Sequence, residues 1–250
     1  MDFPKHVAGV VTKRRDITRG LWIVRVHTSE PIRFAPGQYV TVGLFCEEKL
    51  VERPYSVASA PDEPELEFFI ERVAGGRLTP QLYDVPVGGE VYLRRAAKGT
   101  FALDERSGHI HHFMAATVTG IAPFSSMVRR VAEREDAGES ISFRLAILQG
   151  ASSSADLGYA EELAAMAKAR KWLDYIPTVS RPWLEPEWKG ERGRIEDVAR
   201  KHLDGLGFTP DTTTAYACGN PHMIRNMRSV LERAGFDRRN VKEETYWPPD

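Results

Sequence analysis

The sequence has only two cysteines among its 250 residues, Cys46 and Cys218, and they lie far apart without a Cys-x-x-Cys motif. A disulfide framework, a structural zinc site and a four-thiolate iron–sulfur cluster are therefore not expected. Long apolar runs are also missing, because no segment approaches the roughly 20 residues that a membrane-spanning helix needs. The first residues do not have the pattern of a secretory signal. We expect a cytoplasmic protein.

A strong charge of either sign is absent too. The 34 Lys and Arg residues nearly balance the 35 Asp and Glu residues, and the formal net charge is -1. No global field favours a nucleic acid or an anionic membrane, so neither is an expected partner. We also expect a monomer. The tightest group of potential metal ligands is His109, His111 and His112. On a strand, His109 and His111 would point the same way and could form half a site, but no further ligand occurs at a sensible spacing. No metal is expected there, and a polar lead-in to a buried strand explains the histidines equally well.

Residues 1–104 predict a small antiparallel β-barrel. Short alternating or aromatic runs are separated by turn signals such as Pro36-Gly37 and Gly88-Gly89, and no ten-residue helical period occurs among them. This spacing is typical of an antiparallel barrel or sandwich. The predicted strands include Leu21–His27, Gln38–Leu44, Leu66–Arg72 and Glu90–Arg94.

Residues 109–250 predict an α/β domain, because apolar strands alternate with amphipathic helices. Such alternation produces a parallel sheet covered by helices on both faces. A polar connector between Leu103 and His109 marks the expected domain boundary. The predicted strands are His112–Thr117, Phe143–Gln149, Leu173–Val179 and Thr214–Cys218, and the predicted helices are Pro123–Glu135, Gly158–Ala169, Ile195–His202 and Pro221–Ala234.

Two motifs in the barrel carry groups that suit a cofactor with rings and phosphates. Arg53-Pro54-Tyr55-Ser56 places a guanidinium, a flat ring and a hydroxyl close together on an extended chain. A surface arginine beside a core tyrosine explains these four residues about as well. Gly75-Gly76-Arg77-Leu78-Thr79 opens a short predicted helix, whose free N–H groups suit a diphosphate. A hairpin turn is the competing interpretation.

Two loops in the α/β domain follow predicted strands and precede helices. They are Thr117–Phe124 and Cys218-Gly219-Asn220-Pro221. Open parallel sheets bind nucleotides at the carboxyl ends of their strands. One glycine-bearing loop is weak evidence for such a site, but two at equivalent strand ends indicate a shared crevice.

The four motifs, in this order, resemble those of the ferredoxin/flavodoxin–NADP reductase family, and its bacterial members most closely. The resemblance covers nearly the whole chain. It implies an FAD-binding antiparallel barrel followed by an NADP-binding α/β domain, in an enzyme that passes electrons between NADPH and ferredoxin or flavodoxin, which are acidic carriers. NADPH would give a hydride to flavin N5, and the flavin would release single electrons.

The resemblance also implies roles for individual residues. Around the flavin, Arg53 would contact the diphosphate, Tyr55 would stack on the isoalloxazine and Ser56 would reach the N5 region. Gly76, Leu78 and Thr79 would complete the diphosphate cradle. In the tail, Tyr246 would cover the other flavin face, Trp247 would pack on the adenine and Glu244 would lie near the active site. Ser56, Cys218 and Glu244 are therefore the predicted catalytic residues, with Cys218 shaping the nicotinamide pocket.

The nucleotide-binding half departs from the family pattern. Val118-Thr119-Gly120 stands where the family usually has Gly-Thr-Gly, so that a side chain intrudes beside the predicted dinucleotide contacts Thr119 and Gly120. Arg181 and Arg194 match basic positions that hold the 2′-phosphate, but Ser152 stands where a third arginine is often found. Two alternatives stay open: an NADH-dependent reductase component of an oxygenase, and a flavin-bound sensor or interaction subunit with impaired dinucleotide turnover.

Overall fold

A computed structural model describes residues 5–47 and 49–246, which contain two six-stranded sheets. Trp247, the predicted adenine contact, lies outside these residues. The contacts divide the chain into two compact units. The first comprises residues up to Ala102 together with Ala122–Arg130, and the second comprises Leu103–Ile121 and the residues from Val131 onward. No helix within the described ranges is both long and apolar enough to cross a membrane.

The first unit is an antiparallel sheet with the strand order β4-β3-β6-β1-β2-β5. One side of the sheet is the core, whose largest fully buried side chains include Trp22, Phe68, Ile70 and Leu93. The predicted antiparallel fold is confirmed. Its elements are β1 (His6–Thr18), β2 (Leu21–Thr28), β3 (Tyr39–Cys46), β4 (Lys49–Ser56), β5 (Leu66–Glu71), α1 (Thr79–Tyr83) and β6 (Glu90–Arg94).

The second sheet is parallel throughout, with the order β10-β9-β8-β7-β11-β12, which confirms the predicted α/β fold. Its central strands are buried on both faces, which is why they appear in the sequence as continuous apolar runs. The elements are β7 (His111–Thr117), α2 (Ala122–Asp136), β8 (Arg144–Ala151), α3 (Ala160–Ala169), β9 (Leu173–Val179), β10 (Glu191–Arg192), α4 (Ile195–Leu206), β11 (Thr213–Gly219), α5 (Pro221–Arg233) and β12 (Val241–Thr245).

The first half of α2 belongs to the first unit through polar contacts that the sequence does not predict. The Ser126 hydroxyl donates to the Ser59 carbonyl at 2.7 Å, and Arg129 Nη1 donates to the buried Glu67 carboxylate at 2.8 Å. Arg25 Nε donates to the other oxygen of Glu67 at 2.7 Å. Burial alone would raise the pKa of Glu67, but the two arginines outweigh it and lower that pKa. Glu67 is therefore a paired buried charge.

The three neighbouring histidines have hydroxyl partners. The Nδ1 atoms of His109 and His111 lie 3.0 Å and 3.2 Å from the hydroxyls of Thr214 and Thr212. His112 is fully buried at the start of β7, and burial lowers its pKa to about 4. Its ring is therefore neutral at pH 7. These contacts fit the interpretation of the histidines as a lead-in to a buried strand.

Candidate cofactor and nucleotide sites

The Arg-x-Tyr-Ser motif forms the last four residues of β4, which pairs with β3 without a bulge. Arg53 and Tyr55 lie opposite Val42 and Val40, so they share the sheet face that carries the core. Ser56 lies on the other face and is 5% exposed. The strand period of two therefore separates the ring and the guanidinium from the hydroxyl.

Tyr55 carries an unsatisfied polar atom. Its ring packs against a small cluster formed by Cys46, Val51 and Leu78, and it meets the edge of Phe68 at a centroid distance of 6.4 Å. Its hydroxyl is buried, and no hydrogen-bond partner for it is found among the described residues. Burial raises the pKa of this phenol, which therefore stays protonated and able to donate. Two predicted cofactor residues, Tyr55 and Leu78, are thus brought together from separate segments.

The segment between β5 and α1 folds into a tight turn. The Val73 N–H donates to Thr79 Oγ1 at 2.9 Å, and the Gly76 N–H donates to the Val73 carbonyl at 3.0 Å. A Cβ on Gly76 would lie only 3.1 Å from that carbonyl oxygen, so the turn has little room for a side chain. Among the described residues, none accepts a hydrogen bond from the N–H groups of residues 77–79. These donors and the Thr79 hydroxyl are the groups that the sequence predicts for a diphosphate.

The two strand-end loops of the second unit meet at their backbones. A Cβ on Gly120 would lie 2.3 Å from the Cys218 carbonyl oxygen, and a Cβ on Gly219 would lie 2.4 Å from Thr117 Oγ1. The N–H of Asn220 donates to that same Thr117 hydroxyl at 2.8 Å. Only glycine fits at both contact points. The two predicted loops therefore form one joined structure at the carboxyl ends of β7 and β11.

The thiol of Cys218 lies beside two of the predicted tail residues. Strand β12 runs parallel to β11 with Glu244 opposite Cys218, and the Tyr246 hydroxyl donates to the Thr119 carbonyl at 3.2 Å. Burial is the main cause that raises the pKa of Cys218, and the negative charge of Glu244 raises it further. The thiol therefore stays protonated and offers no thiolate nucleophile.

Val118 has an unusual backbone conformation for a β-branched residue. Its φ is 46°, in the left-handed region that favours glycine. The half-buried side chain packs on a cluster formed by Ala151, Leu157 and Val179, next to the ends of β8 and β9. The backbone at Val118 thus has a conformation that glycine adopts easily. The Cβ of valine makes this conformation energetically unfavourable.

The two arginines predicted for a 2′-phosphate leave neighbouring parallel strands. Strand β10 pairs with the end of β9 through Arg192 and Val179, and Arg194 and Arg181 each follow two residues later. Both arginines are exposed, and neither forms an ion pair with any described residue. Strand β10, which brings Arg194 beside β9, was missed because two residues are too few for a periodic signal.

Basic residues on the first unit occur in two sequence clusters, Lys13-Arg14-Arg15 and Arg94-Arg95 with Lys98, and several of them are paired with carboxylates. Arg94 donates to Glu52 at 2.7 and 2.9 Å, Arg95 pairs with Glu30, and Arg14 donates to Asp16 within its own strand. Lys13, Arg15 and Lys98 are exposed. The positive charge on this unit is therefore smaller than the sequence clusters indicate.

Two protein-family models match the chain in the order of its two sheets. The model of the oxidoreductase FAD-binding domain matches residues 8–102, and the model of the oxidoreductase NAD-binding domain matches residues 114–229. Together they cover both candidate sites, although neither extends to the tail residues Glu244 and Tyr246.

Named relatives match along most of their length. The flavodoxin/ferredoxin–NADP reductase of Escherichia coli (strain K12) is 31% identical over 222 residues, which are 88% of this chain and 87% of that protein. The ferredoxin–NAD(P)(+) reductase component of the naphthalene 1,2-dioxygenase system of Pseudomonas putida is 28% identical, covering 97% of this chain and 69% of that protein. A ferredoxin NADP+ reductase from Neisseria gonorrhoeae, solved with FAD and NADP, shares the fold with a TM-score of 0.85 and 22% identity, over 97% and 99% of the two chains.

Proposed function

The chain belongs to the flavodoxin/ferredoxin–NADP reductase family, with an FAD-binding and a NAD-binding domain, and we propose that it transfers electrons between NADPH and a ferredoxin or flavodoxin. The observation that carries the choice of NADPH is the pair Arg181 and Arg194, exposed and without carboxylate partners among the described residues. Two guanidinium groups with free donors suit a 2′-phosphate, which NADPH has and NADH lacks.

The residues of the first unit fit FAD. The unpartnered Tyr55 hydroxyl and the free N–H groups of residues 77–79 are donors that a cofactor with hydroxyls and a diphosphate can satisfy. We propose that Tyr55 stacks on the isoalloxazine and that Arg53, Gly76, Leu78 and Thr79 hold the diphosphate. Bound FAD supplies the chemistry, accepting a hydride at N5 and giving up electrons one at a time.

The residues of the second unit are proposed to orient the nicotinamide. Thr119 and Gly120 follow the end of β7, and we propose that their backbone atoms contact the dinucleotide. A side chain at position 120 has no room. Cys218 fills the adjacent space as a neutral thiol. We propose that Ser56 orients the flavin N5 region and that Glu244 holds a proton near the flavin.

Replacing Arg181 or Arg194 with alanine is expected to raise the KM for NADPH by roughly 10- to 100-fold, the equivalent of one charge-assisted hydrogen bond of about 1.5–3 kcal/mol. The KM for NADH should stay nearly constant, because NADH has no 2′-phosphate. Steady-state kinetics with both nucleotides measures the difference. Arg233→Ala, an exposed arginine at the end of α5, is the control. Equal losses with NADPH and NADH would place the phosphate elsewhere.

Val118→Gly is expected to accelerate flavin reduction by NADPH. Glycine adopts the observed φ without strain and removes the isopropyl group beside the predicted dinucleotide path. A misplacement of about 1 Å costs on the order of a hundredfold in rate, so a several-fold gain is accessible. Stopped-flow absorbance of the flavin measures it.

Val118→Ala separates the two causes, since alanine removes the methyl groups but keeps the backbone strain. If both variants are reduced faster, the bulk of the valine side chain is the cause. If only Val118→Gly is reduced faster, the backbone strain is the cause. A rate that is unchanged or lower in both variants would mean that the loop is already adapted to valine.

A second candidate is an NADH-dependent reductase component of an oxygenase system. The similarity to the naphthalene dioxygenase reductase component favours it, because that relative is named for both NAD and NADP. Anaerobic reduction of the purified flavoprotein by NADPH and by NADH, followed by electron transfer to ferredoxin, to flavodoxin and to an oxygenase, distinguishes the candidates. Fast reduction by NADPH with transfer to ferredoxin or flavodoxin supports the proposed function. Reduction by NADH alone contradicts it.

A further inference from the structure

The loops that follow β8 and β9 run side by side beyond the sheet. The Ser180 N–H donates to the Ala151 carbonyl at 2.9 Å, and the Arg181 N–H donates to the Ser152 carbonyl at 3.2 Å. The serine-rich turn after β8 is therefore a direct neighbour of Arg181. In open α/β sheets, the side chains beyond such a strand end help to select between a nucleotide with a free 2′-hydroxyl and one with a 2′-phosphate.

A carboxylate from the same loop as Arg181 occupies this turn. The Ser154 N–H donates to both oxygens of Glu185, at 2.9 and 3.2 Å, and the Ser154 hydroxyl donates to Glu185 Oε2. Donors of this kind are those that commonly hold phosphate oxygens. Glu185 is half-buried, and it forms no ion pair with any described residue. Its negative charge is therefore fixed in place and not neutralised.

Glu185 and Arg181 have opposite effects on an incoming dianion. The exposed Arg181 attracts a 2′-phosphate, whereas the fixed carboxylate of Glu185 repels it and already uses the Ser154 donors. A nucleotide with a free 2′-hydroxyl carries no charge at this position. Its electrostatic interactions with Arg181 and Glu185 are therefore both weaker.

We infer that Glu185 is a specificity-determining residue, which lowers the preference of this chain for 2′-phosphorylated over unphosphorylated adenine nucleotides. The inference rests on the proposed function, since it assumes that the adenosine end of the dinucleotide lies beside Arg181. It assigns a role to a residue in a segment, Pro182–Gly190, where sequence reasoning identified no functional group.

The test is isothermal titration calorimetry of the full chain with adenosine 2′,5′-bisphosphate and with 5′-AMP, which needs no turnover. Glu185→Gln keeps an oxygen that can accept from Ser154 but removes the charge. We expect the Kd for the bisphosphate to fall roughly 5- to 10-fold, as for one like charge removed near the surface. The Kd for 5′-AMP should change by less than about twofold.

Glu187→Gln is the matched control. Glu187 lies two residues further along the same loop, is exposed and has no contact with Ser154 among the described hydrogen bonds. We expect it to change neither Kd by more than about twofold. Raising the salt concentration should shrink the gain in Glu185→Gln, because exposed charges are screened.

Any of three results would overturn the inference while leaving the proposed function intact. One is an equal change for both nucleotides, which would mean that Glu185 only supports the loop. Another is an unchanged or weaker affinity for the bisphosphate in Glu185→Gln. The third is the same gain in affinity in Glu187→Gln. If the unmodified chain binds neither nucleotide, the proposed function itself fails, and the inference fails with it.

Discussion

Gly120→Ala is expected to lower the stability of the second unit and to slow flavin reduction by NADPH by about a hundredfold or more, the typical cost of a misplacement near 1 Å. The added Cβ would lie 2.3 Å from the Cys218 carbonyl oxygen and 2.8 Å from the Gly219 Cα, and both are backbone atoms that cannot rotate away. Separating the two turns would also strain the bond from the Asn220 N–H to Thr117.

Thermal unfolding and stopped-flow reduction measure these two effects. Overpacking of this kind costs about 3 kcal/mol at the upper end of the usual range, and a loss of that size lowers Tm by roughly 6–12 °C in a chain of this length. The FAD content should stay the same, because the predicted flavin residues up to Thr79 belong to the first unit.

Gly205→Ala is the matched control for this substitution. Gly205 lies within α4, and a Cβ there would meet nothing within 4 Å. We expect alanine to stabilise the helix by about 0.5–1 kcal/mol and to leave the reduction rate unchanged. Equal Tm values for the two alanine variants would show that a Cβ at position 120, close to the Cys218 carbonyl, does not lower the stability.

Tyr55→Ala is expected to weaken FAD binding by roughly 30- to 100-fold, because it removes a ring-on-ring contact of about 0.5–1.5 kcal/mol together with part of the area that the ring would bury. The FAD affinity of the apoprotein, followed by fluorescence quenching of the flavin, measures the loss. Tyr92→Ala is the control, because Tyr92 lies on the opposite face of the same sheet against Phe45. It should leave FAD affinity unchanged.

Tyr55→Phe tests the unpartnered hydroxyl by itself. In the apoprotein this variant should be more stable than the unmodified chain by about 1–3 kcal/mol, since it removes a buried donor without a partner. With FAD bound, the advantage should shrink or reverse, because the hydroxyl then has an acceptor. An advantage of the same size with and without FAD would contradict contact between this hydroxyl and the cofactor, and unchanged FAD affinity in Tyr55→Ala would contradict stacking.

Periodicity and turn chemistry predicted most of the fold because these signals are local. The sequence predicts β6 and β9 with the bounds that the structure has, Glu90–Arg94 and Leu173–Val179. The alternation of apolar strands with amphipathic helices likewise predicts the parallel sheet. Strand β10 was missed, since its two residues are defined only by their hydrogen bonds to β9. The local pattern also does not show that Arg94 and Arg95 each pair with a carboxylate distant in sequence, Glu52 and Glu30.

By itself, the sequence determined that this protein has an antiparallel sheet followed by a parallel one, and it identified the loops at the strand ends as the candidate site. Only the tertiary structure decided which of those groups meet. The Gly120 backbone lies against Cys218, Val118 adopts a left-handed φ, and the carboxylate of Glu185 is bound to Ser154. Each of these features depends on how separate segments of the chain pack together. A sequence pattern within one segment does not show this packing, because hydrogen bonds, steric contacts and charges act through space.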